Sequence, residues 1–263
     1  MKIIDFHAHY YPDKIVERAL KAAIDFITPQ TDGTRKGLIK SMQQNNIIYS
    51  VGLPIVTAVE NTLSVNAWAA AENHDEICML GSVHINDPNY DKTLEFIQKN
   101  NMRGIKLHPE YQNFVFNDPK MDRIFAKCVE LDLFVIVHSG FDIMFKPPYK
   151  CTPAMLKNVK KRFPSLKLIG AHLGGMRDYE NVEKELIGQP IYLDLSFMTE
   201  ENIEFTLLEK LIKRHDPDYL LFGTDSPWCD QKRVIDLVNQ FDISASDKEK
   251  IFYSNAAKLL KIQ

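Results

Sequence analysis

Eight apolar, β-branched runs, each followed by a stretch of helical periodicity, recur along the chain at an average spacing of about 30 residues. That alternation is the pattern of βα units feeding a parallel sheet. Eight units in 263 residues predict an α/β fold, a (β/α)8 TIM barrel in one domain spanning 1–263. A third observation agrees: ligand-type side chains, histidine above all, stand where the apolar runs stop. In a closed barrel those stops share one rim, the C-terminal face of the strands.

The first run is Ile3-Ile4-Asp5-Phe6-His7-Ala8-His9. Residues two apart on a strand share a face, so His7 and His9 point the same way at its end. Residues 13–26 read as a helix through Ile15, Leu20, Ala23 and Ile24, and 28–36, rich in Thr, Gly and Pro, as a loop. A helix over 37–45 feeds strand two, 47–53, which Pro54 closes. The helix 61–73 sets Leu63, Ala67, Trp68 and Ala71 on one face and leads to strand three, 77–83. Asp87-Pro88 reads as an N-cap followed by proline at the first helical position.

Strand four, 103–108, stops at Pro109; a loop over 110–117 leads to Asp118-Pro119 and a helix through Leu131. Strand five, 133–138, runs into Ser139-Gly140 and a loop, 141–150, laid over one end of the barrel. A helix over 153–163 precedes strand six, 166–172, and Leu173-Gly174-Gly175. Residues 176–186 are helical, strand seven is 191–196, a helix covers 200–215, and strand eight is 220–225. Helices over 231–240 and 247–261 end the chain.

The balance of 45% hydrophobic and 25% charged residues with a net charge of -3 is that of an ordinary globular protein, and no Lys/Arg block marks a nucleic-acid or membrane surface. The most basic run, 157–162, reads as a solvated helix face. Cys78, Cys128, Cys151 and Cys229 form no Cys-x-x-Cys pair, which fits a reducing compartment; no apolar run suits a signal peptide or a membrane span. The expected location is the cytoplasm.

The predicted strand ends carry His7 and His9 (one), Lys106 and His108 (four), His138 (five), His172 (six) and Asp225 (eight). Five of the eight histidines thus reach one rim, while His74, His84 and His215 fall on helix ends or loops. An isolated His-x-His is as readily a capping and a core histidine, but the recurrence points to a metal. Imidazole and carboxylate without thiolate suit zinc, manganese, iron or cobalt. Three or four protein ligands leave a place for a water whose pKa falls to roughly 7, and Asp225 beside it would accept and return the proton.

These motifs resemble the amidohydrolase superfamily, within it the amidohydrolase-related group that includes the aminocarboxymuconate semialdehyde decarboxylase-like proteins. They are Asp5-Phe6-His7-Ala8-His9, Gly104-Ile105-Lys106-Leu107-His108-Pro109, Val135-Ile136-Val137-His138-Ser139-Gly140, Ala171-His172-Leu173-Gly174-Gly175, Leu221-Phe222-Gly223-Thr224-Asp225-Ser226-Pro227 and Asn255-Ala256-Ala257-Lys258-Leu259-Leu260. The resemblance implies one divalent ion, commonly zinc, on His7, His9, His138 and Asp225, with His172 polarising the nucleophilic water or the substrate. It implies that Lys106 either binds a substrate carboxylate, pairs with a buried carboxylate, or is carbamylated and bridges a second ion. His108 is a second substrate-binding candidate or a rim residue turned by Pro109. Arg177 either reaches a substrate anion or makes an exposed salt bridge, and Trp228 either walls the pocket or packs the barrel. A homodimer is implied as well.

The expected activity is hydrolysis of an amide, ester or lactone bond in a small, carboxylated substrate by metal-activated water, the commoner chemistry of the superfamily. The alternative is metal-dependent non-oxidative decarboxylation of an unsaturated or aromatic carboxylate, weighed down by the shortness of the chain. A barrel that binds a ligand without turning it over is the third reading.

Overall fold

The computed structural model describes residues 1–262, and it places the eight strands and their helices in the predicted order. The strands are β1 (Ile3–Ala8), β2 (Ile47–Gly52), β3 (Ile77–Met79), β4 (Gly104–Leu107), β5 (Phe134–Val137), β6 (Leu168–Gly170), β7 (Tyr192–Asp194) and β8 (Leu220–Leu221). All pair in parallel, as two sheets ordered β1-β2-β3 and β4-β5-β6-β7-β8. Backbone hydrogen bonds join the two sheets at both seams. Gly81 N–H donates to Gly104 O (3.0 Å) and Lys106 N–H to Gly81 O (2.8 Å); at the other seam Phe6 N–H donates to Phe222 O (2.8 Å) and Asp225 N–H to His7 O (2.7 Å). The circuit of eight is complete, as a TIM barrel requires.

Alternation along the strands sorts the core into two layers. Phe134, Ile136, Ile169 and Leu221 join Ile4 and Phe6 in the inner cluster, whereas Val135, Val137, Ile105 and Leu107 pack under the helices. Continuing that alternation carries His138 and Asp225 inward at the ends of their strands, and it explains Lys106, which points inward between Ile105 and Leu107. The pairing of β1 with β2 shifts register between Asp5 and Ala8, where the chain passes from the inner cluster to His7.

The helices are α1 (Val16–Lys21), α2 (Arg35–Gln44), α3 (Thr62–Glu72), α4 (Tyr90–Lys99), α5 (Pro109–Gln112), α6 (Asp122–Glu130), α7 (Pro153–Arg162), α8 (Tyr179–Glu185), α9 (Phe205–Arg214), α10 (Gln231–Gln240), α11 (Ala245–Glu249) and α12 (Asn255–Leu260). Side-chain oxygens cap several of them: Thr34 accepts from Gly37 N–H, Asp230 from Arg233 N–H and Ser244 from Asp247 N–H.

Five sequence expectations about the helices and loops are corrected. The helix over 13–26 contracts to α1, none of whose residues is buried, and Ile24 and Phe26 lie exposed. Leu63 is 74% exposed and does not share the packed face of α3. Helix α4 starts at Tyr90, and Asp87 accepts from Asn89 N–H and Thr93 Oγ1 in a turn ahead of it instead of capping it. The loop after Pro109 contains α5, and a π-helical turn over Lys250–Ser254 joins α11 to α12. Among the described residues no helix is long and apolar enough to cross a membrane.

Candidate metal centre

His7 and His9 leave β1 with their imidazoles facing each other, Nε2 to Nε2 at 3.2 Å, and Asp225 Oδ1 lies 3.2 Å from both nitrogens. The far nitrogens are committed: His7 Nδ1–H donates to Asp194 Oδ2 (2.8 Å) and His9 Nδ1–H to the Leu53 carbonyl (2.9 Å). When neutral, each ring therefore presents an unprotonated Nε2. No hydrogen bond can join two such nitrogens, and a shared cation resolves the contact. Ligands about 2.1 Å from a tetrahedral ion stand roughly 3.4 Å apart, so three donors 3.2 Å apart are close to one face of such a site.

His138 supplies a further donor atom. Its Nε2 is buried with no hydrogen-bond partner among the described residues, while its Nδ1 faces His172 Nε2 at 3.0 Å. The donor set His7, His9, Asp225 and the orphaned His138 nitrogen thus fits a divalent ion of the imidazole and carboxylate class. Close grouping of ligand atoms unites His7 with His9 and Asp225, but it puts His138 with His108 and Asp142.

Strained backbone surrounds these groups. His172 (φ 56°), Leu173 (59°), Arg177 (59°), Phe197 (59°) and Asp225 (69°) all occupy the left-handed region, sparsely populated outside functional sites and turns. Two buried carboxylates stabilise the turns. Asp194 accepts from His172 N–H (2.9 Å), and Asp5 from Thr224 N–H (2.9 Å) and Thr224 Oγ1–H (2.6 Å), next to Asp225. Neither was singled out in the sequence. The signal available for Asp194 was its place in Asp194-Leu195-Ser196, two polar residues at strand spacing on the seventh strand end.

Lys106 is buried, with Nζ 3.3 Å from His7 Nε2. His108 is buried as well and stacks on His138 at 4.2 Å between ring centroids; its Nε2 lies 3.2 Å from Asp142 Oδ2, so Pro109 does not leave it loose on the rim. Asp142 comes from the loop after β5 and was not foreseen. Arg177 makes no carboxylate pair among the described residues. Its guanidinium lies 4.1 Å over the Phe141 ring and donates to Asn202 Oδ1 through Nε (3.1 Å) and Nη2 (2.9 Å). All these groups open on a cavity of about 860 Å³ walled by Trp68, Phe141, Phe197, Trp228, Ile55 and Met144.

Burial dominates the titration of the site. It pushes His172 down to about 4, with His138 and His108 also well below the ordinary histidine value, and it draws the Lys106 ammonium down to about 8. Burial alone would raise the Asp225 carboxyl; His7, with His9 and His172, more than offsets it and holds the group well below the carboxylate range. Against burial and the Lys106 charge, Asp194 and Asp225 hold His7 above the ordinary histidine value, so a metal would displace a proton there; His9, His138 and Asp225 are already in the protonation states a metal requires.

The family model described as amidohydrolase matches residues 4–262. A comparison with curated proteins found no match. Among solved structures, the chain is similar to 2,6-dihydroxybenzoate decarboxylase from Rhizobium, at 14% identity and a TM-score of 0.77 over 100% of this chain and 99% of that one. A 5-carboxyvanillate decarboxylase from Novosphingobium aromaticivorans, complexed with manganese and 4-hydroxy-3-methoxy-5-nitrobenzoic acid, is 16% identical at a TM-score of 0.74, over 99% and 96% of the two chains. An uncharacterised TIM-barrel protein from Bordetella bronchiseptica is 19% identical at a TM-score of 0.74, over 99% of each. Matched by the family model over nearly its whole length, the chain belongs to the amidohydrolase family.

Proposed function

We propose that this amidohydrolase-family enzyme uses a divalent metal to decarboxylate an unsaturated or aromatic carboxylate without oxidation. The observation that carries the reading is the cavity of about 860 Å³, whose aromatic walls enclose the candidate metal donors and Arg177, which has no carboxylate partner among the described residues. Such a space suits a flat, apolar body with an anionic end. The full-length likeness to two decarboxylases of aromatic acids supports the same choice over hydrolysis. Chain length no longer argues against it, because the match spans 99% of the Rhizobium enzyme.

His7, His9, His138 and Asp225 would hold the ion, which when bound supplies Lewis-acid stabilisation of negative charge. Arg177 and Lys106 bind and orient the substrate's anionic groups, and Trp68, Phe197 and Trp228 exclude water from its apolar body. In the reaction the bond between carbon and carboxylate breaks, carbon dioxide leaves, and a proton replaces it on the carbon that keeps the electron pair. Asp225, ionised beside His7 and His9, would first take that proton from a solvent water and then pass it to the carbon. The four free cysteines agree with a reducing cytoplasm.

Hydrolysis of an amide, ester or lactone is the second reading. One observation favours it: Asp225 is held ionised, which suits a group that takes a proton from water. Incubation of the metal-loaded enzyme with hydroxylated benzoates and unsaturated dicarboxylates, followed by headspace carbon dioxide analysis, tests the choice. Carbon dioxide stoichiometric with substrate loss is the expected result. Acid release from esters or lactones without carbon dioxide from any carboxylate would replace decarboxylation by hydrolysis.

A further inference from the structure

A hydrogen-bonded chain of buried side chains links strand ends that lie far apart in sequence. The Asp194 carboxylate is fully buried, and the backbone N–H groups that point at it make it an acceptor. Its Oδ2 accepts from His7 Nδ1–H (2.8 Å); its Oδ1 accepts from His172 N–H (2.9 Å), Ser196 N–H (3.1 Å) and the Ser196 hydroxyl. With its single hydrogen spent on Asp194, Ser196 Oγ can only accept from His172 Nδ1, 2.8 Å away. The Ser196 carbonyl, 3.2 Å from the same nitrogen, demands that hydrogen as well. His172 is therefore the Nδ1–H tautomer and its Nε2 is a lone pair. That lone pair faces His138 Nδ1 at 3.0 Å, so His138 carries its own hydrogen on Nδ1 and is left with the bare, partnerless Nε2.

We propose that Asp194 is a positioning residue that dictates, directly for His7 and through Ser196 and His172 for His138, which ring nitrogen is free to bind the metal. The proposal rests on the metal-centre reading above. It makes His172 part of this chain, with both ring nitrogens engaged, and gives Ser196 a role that requires a hydroxyl. Hydrogen bonds from ligand imidazoles to outer carboxylates orient the ring and are typically worth about 10- to 100-fold in metal affinity. Here one carboxylate serves two ligands on opposite sides of the barrel.

Asp194→Asn separates this role from a merely structural one. Two backbone N–H groups and the Ser196 hydroxyl point at Oδ1, so the amide oxygen must sit there and the NH2 must face His7 Nδ1. A donor facing Nδ1 forces the hydrogen of His7 onto Nε2, the metal-binding atom, while His172 and His138 keep their tautomers. The experiment is nitrogen-15 NMR of the histidine rings in full-length, metal-free protein, with a competitive zinc titration of the same samples.

In the wild type we expect Nδ1–H at His172 and His138, and zinc binding about 10- to 100-fold tighter than in Asp194→Asn. The variant should lose the proton from His7 Nδ1 and keep one on Nε2, with His172 unchanged. A hydrogen on Nε2 of His138 or His172 in the wild type, which needs no variant to fold, would overturn the proposal. So would an Asp194→Asn protein with zinc affinity and a His7 tautomer like those of the wild type. Failure of the wild type to bind zinc would remove the metal reading, and the ring tautomers would still decide this one.

Discussion

Asp5→Asn is expected to gain stability relative to the wild type as the pH rises. The Asp5 carboxylate is fully buried and accepts four hydrogen bonds, from His7 N–H (3.2 Å), Thr224 N–H (2.9 Å), Thr224 Oγ1 (2.6 Å) and Gln231 Nε2 (2.8 Å). Burial nevertheless outweighs those donors and raises the carboxyl to about 6. In the unfolded chain it titrates near ~3.9. The folded protein thus holds this proton more tightly, so the stability it confers is complete below the unfolded value. It is lost as the pH climbs to about 6. The difference of roughly 2 units amounts to about 3 kcal/mol.

An Asn side chain avoids that loss, since it stays neutral. Its oxygen can replace Oδ1 opposite the two backbone donors, and its NH2 can meet the Thr224 hydroxyl and the Gln231 Oε1, an acceptor otherwise buried without a partner. Urea unfolding of both proteins in chelator, from about pH 4 to about pH 8, should show Asp5→Asn gaining about 2–3 kcal/mol on the wild type and levelling off above about pH 7. Other titrating groups cancel in the difference. A difference that is flat with pH, or that moves against Asn, would refute the assignment of a destabilised buried carboxylate to Asp5.

Arg177→Gln should raise KM for a carboxylate substrate about 10-fold or more and leave the unfolding midpoint nearly unchanged, because a charge-assisted hydrogen bond is worth ~1.5–3 kcal/mol and the side chain is exposed. Steady-state kinetics with a thermal melt checks both halves. Lys106 loses its charge as the pH rises through about 8, so kcat/KM should fall about tenfold per unit above that point, and Lys106→Met should lack this limb of the profile. At Gly140 (φ +86°) a Cβ would stand 2.4 Å from Met176 N and 2.6 Å from its carbonyl oxygen. Gly140→Ala should therefore destabilise the fold by about 2–4 kcal/mol in urea, since backbone atoms cannot yield as a flexible side chain can.

The barrel was legible because its cause is local: a period of two within each apolar run and a helical period after it, repeated eight times. The rim was legible for a related reason, since parallel strands all end on one face and carry His7, Lys106, His138 and Asp225 to it. What the periodicity missed depends on contacts between distant segments. Asp194 acquires its meaning from His7, 187 residues away, and Asp142 from His108 across a loop. Helix α1 was overextended because Ile15 and Ala23, two of the four residues that suggested the helix, line the cavity, so their spacing reflects the pocket wall instead of a buried face. Strand eight was overextended because Phe222 N–H turns to the Ile251 carbonyl instead of to a neighbouring strand, which ends the regular strand at Leu221.

The choice between decarboxylation and hydrolysis was not legible at all. Both reactions draw on the same ligand residues, and the shape and polarity of the cavity are set by loops whose conformation the periodicity does not give.

The metal content of the full chain, measured by elemental analysis after loading and removal of free ions, tests the central claim most directly. About one equivalent per wild-type chain, falling below about a tenth in Asp225→Asn, is the expected result. A wild-type chain that holds no divalent metal even after reconstitution with excess zinc, manganese, iron or cobalt would contradict it.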